Sequence, residues 1–235
     1  MSDNKRDFYL ILGASRGGTT LLAAALGAHP DIAMFDEDKS DAFTRITGGK
    51  TAGTKLCIPN QIEYKRRWHP LCALLTLNGF LRKSRLSARL PRSPYSIMDF
   101  AAMGHMRPIC ILRSPSGVLK GIQTREHRSL CVAKYRWKRC LEVFDILNEN
   151  PEFSPVFVSF EKLVREPEQT LKNLCAALNI KYDPKMLEAP ASNQRYETAS
   201  GFDPSKARHD ADEDVWDNFD ADVKSRYDRI LKLCV

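Results

Sequence analysis

The chain has 235 residues, 43% of them apolar, and a formal net charge of +7. That is enough for one α/β domain with a substantial core, over residues 1–235, and cramped for two. Its most continuous apolar segment, Pro70 to Leu81, is far too short to cross a bilayer. Seven cysteines, at positions 57, 72, 110, 131, 140, 175 and 234, form no C-x-x-C pair and no metal-ligand spacing. They read as reduced core thiols, which points to a cytoplasmic compartment and to no bound metal.

In chain order, the polar residues Met1 to Asp7 show no signal peptide and lead straight into an apolar run, Phe8–Leu12. Further strand-like runs follow at Ile32–Phe35, Thr54–Ile58, Ile109–Arg113 and Val156–Phe160. Helical patterns separate them: Gly18–Ala28, parts of Gln61–Ser87, Ser116–Asn148 and Pro167–Leu178. Short apolar strands alternating with amphipathic helices predict a three-layer α/β/α domain around a largely parallel sheet. Ligands of such sheets bind beyond the carboxyl ends of the strands.

The charge is unevenly spread. Between Tyr64 and Met98 there is no acid, whereas Lys65, Arg66, Arg67, Arg82, Lys83, Arg85, Arg89 and Arg92 are all basic. This 65–92 stretch suits a solvated face, an anionic acceptor or a membrane surface. Nucleic acid is not an expected partner, because no stacking motif or binding module accompanies the charge.

The chemistry starts where the first strand ends. Gly13-Ala14-Ser15-Arg16-Gly17-Gly18-Thr19-Thr20 is a glycine-rich turn between a strand and an Ala/Leu helix. Backbone N–H groups of such a turn converge with the free N–H groups of the helix start, and the helix dipole favours an anion there. A triphosphatase P-loop would place a lysine before its hydroxyl residue, but Thr19 stands at that position and Arg16 is the only cation.

Arg16, Gly17, Gly18, Thr19 and Thr20 resemble the 5′-phosphosulfate loop of sulfotransferases that use 3′-phosphoadenosine 5′-phosphosulfate (PAPS). Two further segments fit that family in order. Ile109 to Pro115 is similar to the strand ending in Arg-x-Pro, which assigns Arg113 to the 3′-phosphate. A guanidinium suits that task because it pairs two phosphate oxygens at once. Pro155 to Ile180 resembles the family's late strand, acidic turn and Pro-opened helix. The resemblance implies a P-loop-like fold and a metal-independent enzyme that moves a sulfuryl group from PAPS to an acceptor hydroxyl or amine.

By the same resemblance Ser15 to Thr20 hold the 5′ end, and Arg16 stabilises the departing oxygen. Lys206 and Arg208 are the counterparts of the family's C-terminal basic loop. The family's helix serine falls on Gly121 here, with Gln123 and Thr124 as nearby substitutes. Lys55-Leu56-Cys57-Ile58-Pro59 keeps the Lys and Pro of the family's Lys-x-His-x-Pro segment but carries cysteine for histidine. Glu37, just after the second strand, is the expected base, with Asp36 the next choice. A carboxylate in a closed pocket can take a proton near neutrality. Residues 61–98, outside the matched segments, are expected to be an acceptor-side insertion, with a small molecule, glycan or lipid as acceptor. Two rival readings are a kinase-like phosphotransferase and a nucleotide-binding module without transfer activity.

Overall fold

The computed structural model describes residues 7–38, 49–65, 95–188, 201–211 and 213–235. Strand β1 (Asp7–Ala14) is buried at every residue after the first, as expected of a central strand covered on both faces. Parallel pairing puts β3 (Thr51–Ile58) on one side of it and β6 (His105–Leu112) on the other. With β2 (Ile32–Asp36) and β7 (Val156–Ser159) the sheet order is β2-β3-β1-β6-β7, all parallel. A separate two-stranded ribbon pairs β4 (Ile62–Glu63) with β5 (Tyr95–Ser96).

The helices are α1 (Thr19–Gly27), α2 (Ile97–Met103), α3 (Pro115–Glu126), α4 (Leu130–Glu149), α5 (Phe160–Arg165), α6 (Pro167–Leu178) and α7 (Ala221–Lys232). Alternation along β1 divides the core into two layers. Tyr9 and Ile11 pack with Leu22 and Leu26 of α1 and with Leu171, Leu174 and Leu178 of α6. Phe8, Leu10 and Leu12 face the opposite way, against Trp137, Leu141 and Phe144 of α4. Right-handed crossovers that leave a sheet in opposite directions must cover opposite faces, which is why α1 and α4 end up on different sides.

That topology fixes where a ligand can sit. The chain leaves β1 toward β2 and β3, and leaves β6 toward β7, so the switch point lies between the exits of β1 and β6. Gly13 lies level with Ile111, and so Ser15 and Arg113 emerge beside one another.

The five predicted main strands form, and α6 begins at Pro167, where proline suits the first helical turn. Four details differ from expectation. Phe160 opens α5 instead of closing β7, because Ser159 accepts from Lys162 N and caps a helix there. The predicted helix over 116–148 is two helices, broken where His127 adopts φ 52° and Ser129 caps α4. Ile62 and Glu63 of the region read as helical form a strand; residues 66–94, most of the basic stretch, lie outside the described residues. Four of the cysteines (Cys110, Cys140, Cys175 and Cys234) are buried thiols as expected, but Cys131 is exposed.

Trp137 ties the C-terminal segment to this frame. Its indole lies 5.9 Å from Trp216, 5.0 Å from Phe219 and 5.8 Å from Tyr227, and its Nε1 donates to Arg113 O at 3.0 Å. Trp137→Ala should therefore cost about 3–5 kcal/mol in urea unfolding. A loss below about 1 kcal/mol would show that this aromatic cluster contributes little.

Candidate functional site

The loop after β1 closes tightly. Gly17 N donates to Ala14 O at 2.8 Å, and both Arg16 (φ 66°) and Gly18 (φ 98°) adopt left-handed backbone. Glycine is required at position 18 on two counts, since a Cβ there would also lie 2.3 Å from Phe160 Cδ2. Gly18 is the N-cap of α1 and brings no capping side chain, and the first turn of α1 holds no acid. No side chain at the N-cap takes up the first N–H groups of this helix. Ser15 and Thr19 are buried at this turn, and Gly17 is buried with them.

Arg113 joins the exit of β6 to this loop. Its Nη1 donates to Arg16 O at 2.7 Å and its Nη2 to Lys206 O at 3.1 Å, while its guanidinium lies 4.1 Å from the Phe160 ring centroid. Arg16 and Arg113 consequently lie together at the switch point. The N-terminus of α3, next to Arg113, is held by Glu161, which accepts from Ser114 N at 2.9 Å and is itself buried.

Helix α3 explains the departure at Gly121. A Cβ on Gly117 would lie 2.6 Å from Arg113 Nε, and one on Gly121 would lie 3.0 Å from Arg16 Cβ and 3.2 Å from its Cγ. Residues four apart share a helix face, so this face is stripped of side chains where two arginines lie against it. Gly121 cannot carry a serine without pushing Arg16 aside. Gln123 and Thr124 do not stand in for it: both are exposed, and Thr124 Oγ1 donates back to Lys120 O at 2.8 Å.

The next residue on that face, Arg125, is a cation that sequence reading missed. Segment 204–211 packs against α3 and α5, held by Arg113 at Lys206 O and by Arg165 at Ala207 O, 3.0 Å away. Burial pushes the Lys206 ammonium below its ordinary pKa; Asp203 opposes this, and the nearby charges of Arg125 and Arg113 push it down further. Three cations crowd one place. The Arg208 side chain lies outside the described residues, and Phe202 packs against the core.

Glu126 and Arg136 were also missed. Ser15 Oγ donates to Glu126 Oε1, Arg16 Nε donates to the same oxygen at 3.2 Å, and Arg136 Nη1 donates to Oε2 at 2.6 Å. The only sequence signal for this face was the repeat Gly117, Gly121, which is costly inside a helix and so asks for a packing reason.

Across the loop, at the exits of β2 and β3, Lys55 is 4% exposed and bonds Asp36 Oδ1 at 2.8 Å and Glu37 Oε1 at 3.1 Å. Glu37 is held in left-handed backbone, φ 56°, with its side chain 39% exposed. It therefore faces solvent on one side and a fixed ammonium on the other. Cys57 Sγ lies 3.8 Å from Thr19 Oγ1, and burial pushes its thiol up, away from the thiolate. Of the histidines, His29 is a structural link: its Nε2 lies 2.7 Å from Lys181 O and its Nδ1 accepts from Asp31 N at 3.1 Å.

The fold matches solved sulfotransferase domains. The domain from the Synechococcus PCC 7002 olefin synthase aligns at TM-score 0.54 and 17% identity, covering 98% of this chain and 95% of that one. The domain from the curacin biosynthetic pathway aligns at TM-score 0.53 and 16% identity, covering 97% and 96%. Mouse sulfotransferase SULT7A1, solved in complex with PAP, aligns at TM-score 0.52 and 13% identity, covering 98% and 85%. No protein-family model matches the chain, and no curated protein matches its sequence. The chain has the three-layer, P-loop-like fold of sulfotransferase domains.

The crowded Lys206 gives a pH prediction. Its lowered pKa means that, just below the ordinary lysine value, the folded protein binds fewer protons than the unfolded chain, so this group's contribution to stability rises with pH there. An anion placed beside it restores the pKa, so phosphate-type ligands should bind with proton uptake at alkaline pH. Calorimetry in buffers of different ionisation enthalpy should show uptake in the wild type and its loss in Lys206→Met. Equal uptake in both would remove Lys206 from the site.

Proposed function

We propose that this protein is a PAPS-dependent sulfotransferase acting on an acceptor hydroxyl or amine. The observation that carries the reading is the juxtaposition of Arg16 and Arg113, joined by the 2.7 Å bond from Arg113 Nη1 to Arg16 O. Two features support the fit of a bis-anionic nucleotide. The protein's own carboxylate Glu126 sits on Ser15 and Arg16 as an anion would, and Lys206 lies near the charges of Arg125 and Arg113.

In this reading Ser15, Arg16, Gly17, Gly18, Thr19 and Thr20 hold the 5′ end, and Arg113, Lys206 and Arg208 hold the 3′-phosphate. The donor supplies a sulfuryl group whose sulfur is open to in-line attack and whose leaving group is a phosphate oxygen. Arg16 stabilises the charge that collects on that oxygen as its bond to sulfur breaks. Glu37 accepts the proton from the acceptor hydroxyl as the new oxygen–sulfur bond forms. Lys55 keeps the Glu37 carboxylate aimed, and Asp36 shares that ammonium. Most of the rate then comes from positioning and preorganised charge.

We assign residues 1–235 to one such domain, with 61–98 as an insertion on the acceptor side and its basic 65–92 stretch toward an anionic or amphiphilic acceptor. The buried thiols Cys110, Cys140, Cys175 and Cys234 support work in a reducing, cytoplasmic compartment.

Titration calorimetry with 3′-phosphoadenosine 5′-phosphate (PAP), against ATP with Mg²⁺, tests the reading. PAP should bind and ATP with Mg²⁺ should not; the reverse result would favour a kinase-like protein. In a second experiment, Glu37→Gln should keep PAP affinity while slowing transfer from radiolabelled PAPS to a panel of hydroxyl acceptors by roughly 10²-fold or more. Equal rates would remove Glu37 as the base.

A further inference from the structure

One of the protein's own carboxylates sits on the loop after β1. Glu126 is the last residue of α3, at the joint where His127 turns left-handed, and its side chain is only 19% exposed. One of its oxygens takes Ser15 Oγ and Arg16 Nε; the other takes Arg136 Nη1 at 2.6 Å. A serine hydroxyl has one proton to give. Ser15 therefore cannot serve Glu126 and a ligand oxygen together. Arg16 Nε is likewise committed, and a second anion brought onto the same groups meets a like charge at contact distance.

We propose that Glu126 is a specificity-determining residue: an internal competitor for the 5′ end of the loop, which a ligand must displace. Arg136, on the neighbouring helix, retains the displaced carboxylate by its other oxygen. A bare anion gains only the loop contacts and has to overcome Glu126 with those alone. A ligand that also engages Arg113 and Lys206 brings separate binding energy to the displacement. The loop thus rejects free phosphate and sulfate and admits molecules with an anion at each end, a discrimination built from repulsion of the wrong ligand. This inference rests on the loop being an anion site, as in the function proposed above, but not on which nucleotide enters it.

The test is calorimetric titration of inorganic pyrophosphate and of PAP into the wild type, Glu126→Gln and Glu142→Gln. Glu142 pairs with Arg139 on its own helix at 2.7 Å and serves as the control carboxylate. Glu126→Gln should bind pyrophosphate about tenfold tighter or more, a gain expected from removing a like charge at close range, while Glu142→Gln changes little. Glu126→Asp, with the carboxylate drawn back by one methylene, should show a smaller gain, and it serves if the Gln variant fails to fold by circular dichroism. Unchanged or weaker pyrophosphate binding in both Glu126 variants would overturn the proposal and make Glu126 a support for Arg16. The two readings separate cleanly. Tighter pyrophosphate with no PAP binding in any variant sinks the nucleotide reading alone. Wild-type PAP binding with no pyrophosphate gain sinks the competitor alone.

Discussion

The guanidinium of Arg113 joins three parts of the chain that are distant in sequence. It donates to the loop after β1 at Arg16 O and to the C-terminal segment at Lys206 O, and it rests on Phe160 at the start of α5. Below it Gly117 leaves the space in which it lies. Planar, multi-donor geometry makes this possible, and a lysine ammonium could not bridge the same acceptors in fixed directions. The bond to Arg16 O also supports a residue in left-handed backbone, a conformation that costs a non-glycine residue free energy unless its surroundings impose it.

The electrostatics of the candidate site follow from what surrounds that hub. Cations arrive from four elements: Arg16 from the loop, Arg113 from the end of β6, Arg125 from α3 and Lys206 from the C-terminal segment. Carboxylates are present but assigned. Glu126 is held by Ser15, Arg16 and Arg136, while Asp36 and Glu37 share the buried ammonium of Lys55. In the proposed function the first group of side chains holds the charged donor, and the pair of acids on Lys55 serves the acceptor that must lose a proton.

Local chemistry made part of this legible in the sequence. A strand running into Ser15-Arg16-Gly17-Gly18 specifies its turn within a few residues, and Ile109 to Pro115 specifies a buried strand with an arginine at its tip. The parallel sheet follows from the spacing of apolar runs, and α6 from Pro167 and its leucines. What could not be read depends on tertiary contact. Gly121 looked like a missing ligand because a glycine's contribution here is empty space, visible only once Arg16 lies across it. Glu126 is one acid among many until the break at His127 brings it back to a loop 110 residues earlier in the chain. Arg125 and Arg136 stayed hidden for the same reason, since the continuous helical pattern over 116–148 gave no sign of that break.

In the proposed function two cationic sites serve the two ends of one molecule. Comparing the affinities of PAP, adenosine 5′-monophosphate and adenosine 3′-monophosphate for the wild-type protein, in one buffer and at one salt concentration, measures this directly. Charge-assisted contacts at both ends should make PAP about tenfold tighter, or more, than either monophosphate. Affinities that are equal for all three would mean that Arg16 and Arg113 do not receive the two ends of such a ligand.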